Sequence, residues 1–422
     1  MYKIYFKQAV EMLKQNKFFS VISITGTALA IMMIMVIIVT DGIKNISIAP
    51  EHYRDRTLYI TYSAIIDTVG PGSVSGRSGS LSYHEVKDYI PLLKTPEMIT
   101  ACSQNDVIVG IEGSEESSSM KVKYTDNVFW NFYSFSFMEG KPFGEEEFLS
   151  GLKIAVVSEN IATRLFKGEQ ALGQSINIGV DLYRIIGIVK NVSPIFTNAY
   201  SEVWIPYSSL SNTEQAGFDV MLLTKNNNDI KAIKDEFREI EKKYFYDNTH
   251  KSLTLRGPET HRVKAMGLYA GDDKKMTEET NIRNRKIWFM LIIIMLVPAI
   301  NLSGLSMSRI KKLTPEIGVR KAFGAKRHII LVQVLSENLI TSFVGGIIGL
   351  GLSVIVIFQM KDWLLDIPEG STIPFNAVIS IPVILSVFAV CIIINILSAA
   401  IPAYKASRMT IVNSITNNDK QS

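Results

Sequence analysis

Four apolar runs decide what this chain can fold into. Residues 18–40, 287–308, 331–359 and 376–401 are each long enough, and poor enough in charge, to cross ~30 Å of hydrocarbon as a helix. Yet 20% of the 422 residues are charged, too many for a protein confined to the bilayer. Much of that charge lies between the first and second runs, in the polar stretch 41–286, which is large enough to fold by itself. The expected fold is a polytopic α-helical membrane protein with four transmembrane helices and a large mixed α+β extracytoplasmic domain between the first and second spans.

Charge at the ends of the runs sets the orientation. The loop 309–330 carries Arg309, Lys311, Lys312, Arg320, Lys321, Lys326 and Arg327 against the single acid Glu316, and positive-inside bias places it in the cytoplasm. The N-terminus, with Lys3, Lys7, Lys14 and Lys17 against Glu11, and the tail 402–422, with Lys405 and Arg408, follow it inside. The loop 360–375 has Asp362, Asp366 and Glu369 against Lys361 and is expected outside, like 41–286. The formal net charge of +4 is this bias at the span ends, so it gives no reason to invoke nucleic acid. A basic leader and Ala28-Leu29-Ala30 would suit a cleaved signal peptide, but Ile31–Val39 continues the apolar run, so an uncleaved span is the better reading. Within 1–17, Tyr2, Tyr5, Phe6, Ala9, Val10 and Leu13 recur at helical spacing. They fit either an amphipathic helix on the inner surface or an extension of the span.

The outer stretch mixes both element types. Leu58–Ile65 reads as one β-rich run, and Asp67–Ser80, with its glycines and serines, as a flexible loop. Ser82 and Glu85 form a capping box that starts a helix to about Leu93. Strands are expected at Ile154–Val157, Ser175–Ile178, Leu182–Val189 and Glu202–Ile205. Ser158 is the expected cap of a helix ending near Phe166, and Asp229–Phe245 a charged amphipathic helix.

Catalytic patterns are scarce. No G-x-x-x-x-G-K-[ST] loop occurs to cradle nucleotide phosphates. His52, His84, His250, His261 and His328 are scattered without metal-ligand spacing and read as surface side chains. Glu115-Glu116 and Glu145-Glu146-Glu147 read as solvated loop charge, because neighbours on a loop fix no carboxylate separation. Cys102 and Cys391 lie at different depths, so no disulfide between them is expected. No catalytic residue, metal or cofactor is expected, and the chain reads as non-enzymatic on its own.

Two patterns in the membrane part remain. Thr314 suits a helix cap, Pro315 the first helical position and Gly324 a left-handed stop, so 315–323 is expected to be a short helix at the inner surface. A rigid charged helix tied to two spans suits a mechanical coupling element; an ordinary basic loop that anchors topology is the plainer alternative. On the third run Gly345, Gly349 and Ser353 lie four apart, a small-residue face for close helix packing against a second copy or another span. The spans offer few polar side chains, notably Asn301, Glu337 and Asn395, which argues for transmitted force rather than a polar conduit.

The decapeptide Glu316, Ile317, Gly318, Val319, Arg320, Lys321, Ala322, Phe323, Gly324, Ala325 resembles the E-I-G-[IV]-R-[KR]-A-x-G-A signature of FtsX-like ABC transporter permeases of the MacB type. The tail Pro402 to Arg408 and the outer segments 154–160, 164–166, 172–173 and 183–189 are similar to the same family, and the resemblance covers essentially the whole chain. Thr314-Pro315 stands where relatives often carry charged residues. The resemblance implies a four-span permease in the bacterial cytoplasmic membrane whose residues 316–325 dock on a cytoplasmic ATP-binding subunit. It further implies pairing with a second permease copy, identical or not, with a periplasmic or outer-membrane partner also possible. Its outer domain would export or extract a peptide, small molecule or lipoprotein. The alternative is a non-transporting relay that passes ATPase cycles to cell-wall hydrolases or sensors outside.

Overall fold

A computed structural model describes residues 17–68, 74–111, 117–213, 216–226, 229–248, 251–267, 273–323, 327–367 and 371–379, with single positions between 381 and 404. The chain divides into two units, one of Met1–Ile43 with Asn281–Ser422, the other Lys44–Thr280. The expectations for 1–16, for most of the fourth run and for the tail lie outside the described residues, as does Cys391.

The outer unit is mixed α and β. Its strands are β1 (Thr57–Ile60), β2 (Tyr62–Thr68), β3 (Val74–Gly79), β4 (Met98–Gly110), β5 (Ser117–Thr125), β6 (Phe137–Gly140), β7 (Ile154–Ser158), β8 (Ser175–Ile178), β9 (Asp181–Val189), β10 (Val203–Pro206), β11 (Asp219–Leu223), β12 (Lys251–Arg256) and β13 (Glu259–Thr260). Ten of them make one sheet in the order β13-β1-β11-β4-β5-β10-β7-β9-β6, with β8 bridging β4 and β9; the other three pair as β12-β2-β3.

This long sheet serves two cores. One gathers Leu58, Ile60, Phe218, Val220 and Leu222 under the Asp229–Asp247 helix, which contributes Ile233, Phe237, Ile240 and Tyr244 at helical spacing. The other gathers Val109, Val122, Val157, Ile176, Ile185 and Val203 under the Glu159–Phe166 helix, through Ile161 and Leu165. The hairpin β4–β5 runs from one core to the other, placing Ala101 in the first and Val109 in the second.

Where the structure departs from the local sequence pattern, tertiary pairing is the reason. Leu58–Ile65 is two strands broken at Thr61: Leu58 pairs with Leu222 in the large sheet and Ile65 with Leu253 in the small one. Both strands have partners on both sides, but β1 is buried and β2 is mostly half-buried. The Gly/Ser stretch also differs, because Val74–Gly79 is a strand. Backbone pairing with β2 orders it, and Gly76 permits the approach, since a Cβ there would lie 2.8 Å from Ile65 O. The Ser82 box forms as expected: Ser82 N donates to Glu85 Oε2 at 2.5 Å and Glu85 N donates back to Ser82 Oγ at 3.4 Å. Arg77 of β3 pairs with the same carboxylate at 2.6 Å, fastening the hairpin to that helix start.

In the membrane unit, Lys17–Ile43 and Arg327–Gln359 are helices. Among the described residues, Ser20–Ile43 and Leu339–Gln359 are long and apolar enough to cross a bilayer. The expected second span, 287–308, lies inside a helix of 50 residues, Asp273–Ala322.

Candidate functional site

At 1.5 Å per residue the Asp273–Ala322 helix is ~75 Å long, more than twice the thickness of hydrocarbon. Glu316, Ile317, Gly318, Val319, Arg320, Lys321 and Ala322 form its last two turns, and Phe323 follows as an exposed turn residue. Gly324 and Ala325 lie outside the described residues. The expected fresh start at Thr314 is not seen, since the helix runs on through Pro315. Nucleating a new helix is costlier than extending an existing one, and a proline removes one backbone bond without forbidding continuation. The motif is thus carried at the end of a rod that begins beyond the expected span.

The small-residue face sits inside the chain. A Cβ on Gly345 would lie 2.9 Å from Thr27 Cβ, and one on Gly349 2.7 Å from Ala28 O. Thr27, Ala28, Ile31, Ile34 and Met35 form the buried stripe of the first helix that meets it. Ser353, also buried, turns its hydroxyl onto Leu350 O at 2.7 Å. Within this chain the face of Gly345 and Gly349 therefore lies against the Lys17–Ile43 helix.

A third arrangement has no clear mark in the sequence. In the outer unit Glu51 and Arg54 form an ion pair at 2.7 Å with both side chains 1% exposed. Arg54 also donates to Lys44 O at 3.1 Å, Ile46 O at 3.2 Å and Ile195 O at 2.8 Å, and its guanidinium lies 4.9 Å from the centre of the Phe196 ring. Glu51 Oε1 accepts from the backbone of Asn198 at 3.0 Å and of Ala199 at 2.9 Å. Strand β13 pairs with β1, Tyr59 opposite Glu259, and this register brings His261 beside Tyr59. Tyr59 Oη and His261 Nδ1 are 2.9 Å apart, and His261 Nε2 is 2.8 Å from Lys44 O. A carbonyl can only accept, so Nε2 carries a proton; burial keeps the ring neutral, and Nδ1 then accepts from Tyr59 Oη. Asn198 Nδ2 then donates to Tyr59 Oη at 3.2 Å.

The electrostatics agree with that assignment. Burial, then the charge of Arg54, hold His261 below its ordinary value. Burial opposes the Glu51 carboxylate, but Arg54 and the Ala199 N–H together hold it below the usual range. Lys123, fully buried nearby, donates to Asn198 O at 2.5 Å and is pushed down by burial. Burial lifts the Cys102 thiol to about 11, so it is a poor nucleophile. The expectation of a surface His261 is therefore corrected, because the β1–β13 register buries it. His84 does lie at the surface, paired with Asp88 at 2.6 Å. In the Glu145–Leu149 helix Glu147 is a cap, accepting from Gly144 N at 3.0 Å.

Two family models match the chain. Residues 20–240 match the family model of the MacB-like periplasmic core domain, and 288–411 that of the FtsX-like permease C-terminal region. The chain is 24% identical over 371 residues to the uncharacterized ABC transporter permease YknZ of Bacillus subtilis, covering 81% of this chain and 86% of that one. It is 23% identical over 410 residues to the macrolide export ATP-binding/permease protein MacB of Escherichia coli O6:K15:H31, covering 96% of this chain but 59% of that protein. Among solved structures, the periplasmic region of MacB from Actinobacillus actinomycetemcomitans aligns with TM-score 0.35 and 14% identity, covering 50% of this chain and 94% of that one. The extracellular domain of YknZ aligns with TM-score 0.36 and 15% identity, covering 48% and 100%. With one family model matched over just more than half its length and a second over most of the rest, the chain belongs to the MacB-like, FtsX-like permeases of ABC transporters.

Proposed function

We propose that this permease is a four-span mechanical transmitter of the bacterial cytoplasmic membrane. It docks a separate cytoplasmic ATPase on residues 316–325 and moves its outer unit to export or extract a substrate at the outer face. Family membership implies an ABC ATPase partner, and no phosphate-binding loop occurs in the chain itself. The observation that carries the reading is the unbroken Asp273–Ala322 helix, which holds the motif at one end and reaches the border of the outer unit at the other. A continuous helix passes a displacement along its axis with little deformation, even though Pro298 and Pro315 each remove one of its backbone bonds. The substrate belongs to the outer unit in this reading, and the permease pairs with a second copy to give the ATPase two docking sites.

The test is made on the full chain in membranes. Gly318→Pro adds a second proline to the last turns and weakens them by up to ~3 kcal/mol, and Arg320→Glu reverses a charge on the proposed docking face. Both are expected to insert normally and to lose the ATP-binding subunit on purification. Normal co-purification and ATPase activity in both would reject the docking. Deleting the gene then separates transport from relay: transport requires a substrate that accumulates in, or disappears from, the outer leaflet.

A further inference from the structure

Lys44 O occupies an unusual place in the outer unit. It accepts from Arg54 Nη1 at 3.1 Å and from His261 Nε2 at 2.8 Å. Lys44 directly follows the Lys17–Ile43 helix, and His261 lies on the return path shortly before the Asp273–Ala322 helix begins. One carbonyl therefore ties the chain arriving from the first helix to the chain returning toward the second. The same side chains grip the segment 195–199 by three bonds, from Arg54 to Ile195 O and from Asn198 and Ala199 N–H to Glu51. That segment joins β9 to β10, both of which feed the second core. Lys123 of β5 secures it from the other side through Asn198 O.

We propose that the Glu51, Arg54, Tyr59, Asn198 and His261 network is the coupling joint of the outer unit, locking both membrane connections to the second core so that a pull on either moves that core as part of one body. The proposal rests on the mechanical reading above and names the residues through which force would cross the outer unit. Without the joint, the first core, which carries β1, reaches the second through the β4–β5 hairpin and through Tyr207, which packs against both; a long hairpin can twist and bend, and a single ring fixes no angle. A buried ion pair is weak as a source of stability, because desolvation offsets most of the attraction. Its hydrogen bonds are directional, however, and that suits a joint whose task is to hold an angle. The charged and titratable groups around it include Lys123 and Cys102 on the central strands, Asp126, Tyr133, and Asp219 with Lys264. Lys264 bonds Asp219 at 2.9 Å and lies over the Tyr59 ring, so the ring is held even without its hydroxyl.

Spin labels test the joint in the full chain in detergent micelles, with Cys102 and Cys391 replaced by alanine. One pair, Ala265→Cys with Val180→Cys, reports from the return path to the second lobe; a control pair, Lys190→Cys with Val180→Cys, stays within that lobe. All three sites are exposed. In the parent both distance distributions should be narrow. Combining Glu51→Gln with Tyr59→Phe should widen the first about twofold, as when one rigid body becomes two, and leave the control unchanged. Tyr59→Phe alone removes one hydroxyl and should widen the first by a smaller amount, so the proposal stays testable if the double variant fails to fold. An unchanged first distribution in a folded variant, or equal broadening of both pairs, overturns the joint. Neither result depends on the ATPase, so the docking of 316–325 stands or falls separately.

Discussion

The outer unit and the membrane unit each contain a tight internal contact, made of opposite materials. Around Glu51 and Arg54, position is fixed by hydrogen bonds with named donors and acceptors. Between the first helix and Arg327–Gln359 it is fixed by the missing side chains of Gly345 and Gly349, which let backbone meet backbone. The difference follows the solvent. Hydrophobic burial drives little association between helices in lipid, so packing at close range carries the contact. In the outer unit, apolar burial supplies stability through two cores, and polar bonds are left to set geometry.

Breaking the polar contact should have the largest effect. Arg54→Leu leaves Glu51 as a buried charge without its ion-pair partner and should destabilise the outer unit by about 3–5 kcal/mol. The shift is measured by denaturant unfolding followed through the buried Trp130 and Trp204. Glu51→Leu added to Arg54→Leu should recover much of it, and failure to recover would mean that the pair stabilises more than it orients.

Acid and base sharpen the contrast, because only the outer unit buries titratable groups of this kind among the described residues. Burial lifts Asp126 to about 6, against the donors Thr100, Ala101 and Phe129. Between ~3.9 and 6 the folded protein keeps a proton that the unfolded chain has released, so stability falls as pH rises through that window and is level above it. The drop is about 3 kcal/mol, and Asp126→Asn should remove that slope even if it lowers stability throughout. Glu51 works in the other direction, its contribution being lost as pH falls below the ordinary carboxylate value through its lowered one.

Gly349→Leu should disturb only the membrane contact. Ala28 O is backbone and cannot swing away, so overpacking of about 1–3 kcal/mol is expected. It should appear as lost cysteine crosslinking between the two helices, with the tryptophan transition of the outer unit unmoved. The smallest effect is that of Tyr59→Phe, about 1 kcal/mol in unfolding for a hydroxyl bonded on both sides.

These contacts also divide what could be read from residues alone. The apolar helix over 18–40, strands β7 and β8, the Ser82 box and the Asp229 helix were legible because their signals are local: an apolar run, a period, a cap. The edge strand Val74–Gly79 was hidden, because its order comes from Ile65 and its neighbours across the hairpin while its own glycines and serines argue for a loop. Glu51 and Arg54, three apart and charged, look like a solvated pair, and nothing near His261 announces that β13 will lay it against Tyr59. The helix through Pro315 misled in the reverse sense, because cap-like residues were present and the cost of a second nucleation outweighed them. The family was legible from 316–325, whose side-chain surroundings no local rule supplies.

The 50-residue helix has a consequence in phase. Each residue turns an α-helix by about 100°, so the heading of a backbone position in its last turns is set by counting residues from Asp273. One residue inserted near 310 would swing the motif by more than a quarter turn while lengthening the helix by only ~1.5 Å. Seven would bring it back to within about 20° of its first heading. Along this helix, then, an inserted residue changes heading far more sharply than length, and changes in length that keep the heading come in steps of about seven residues.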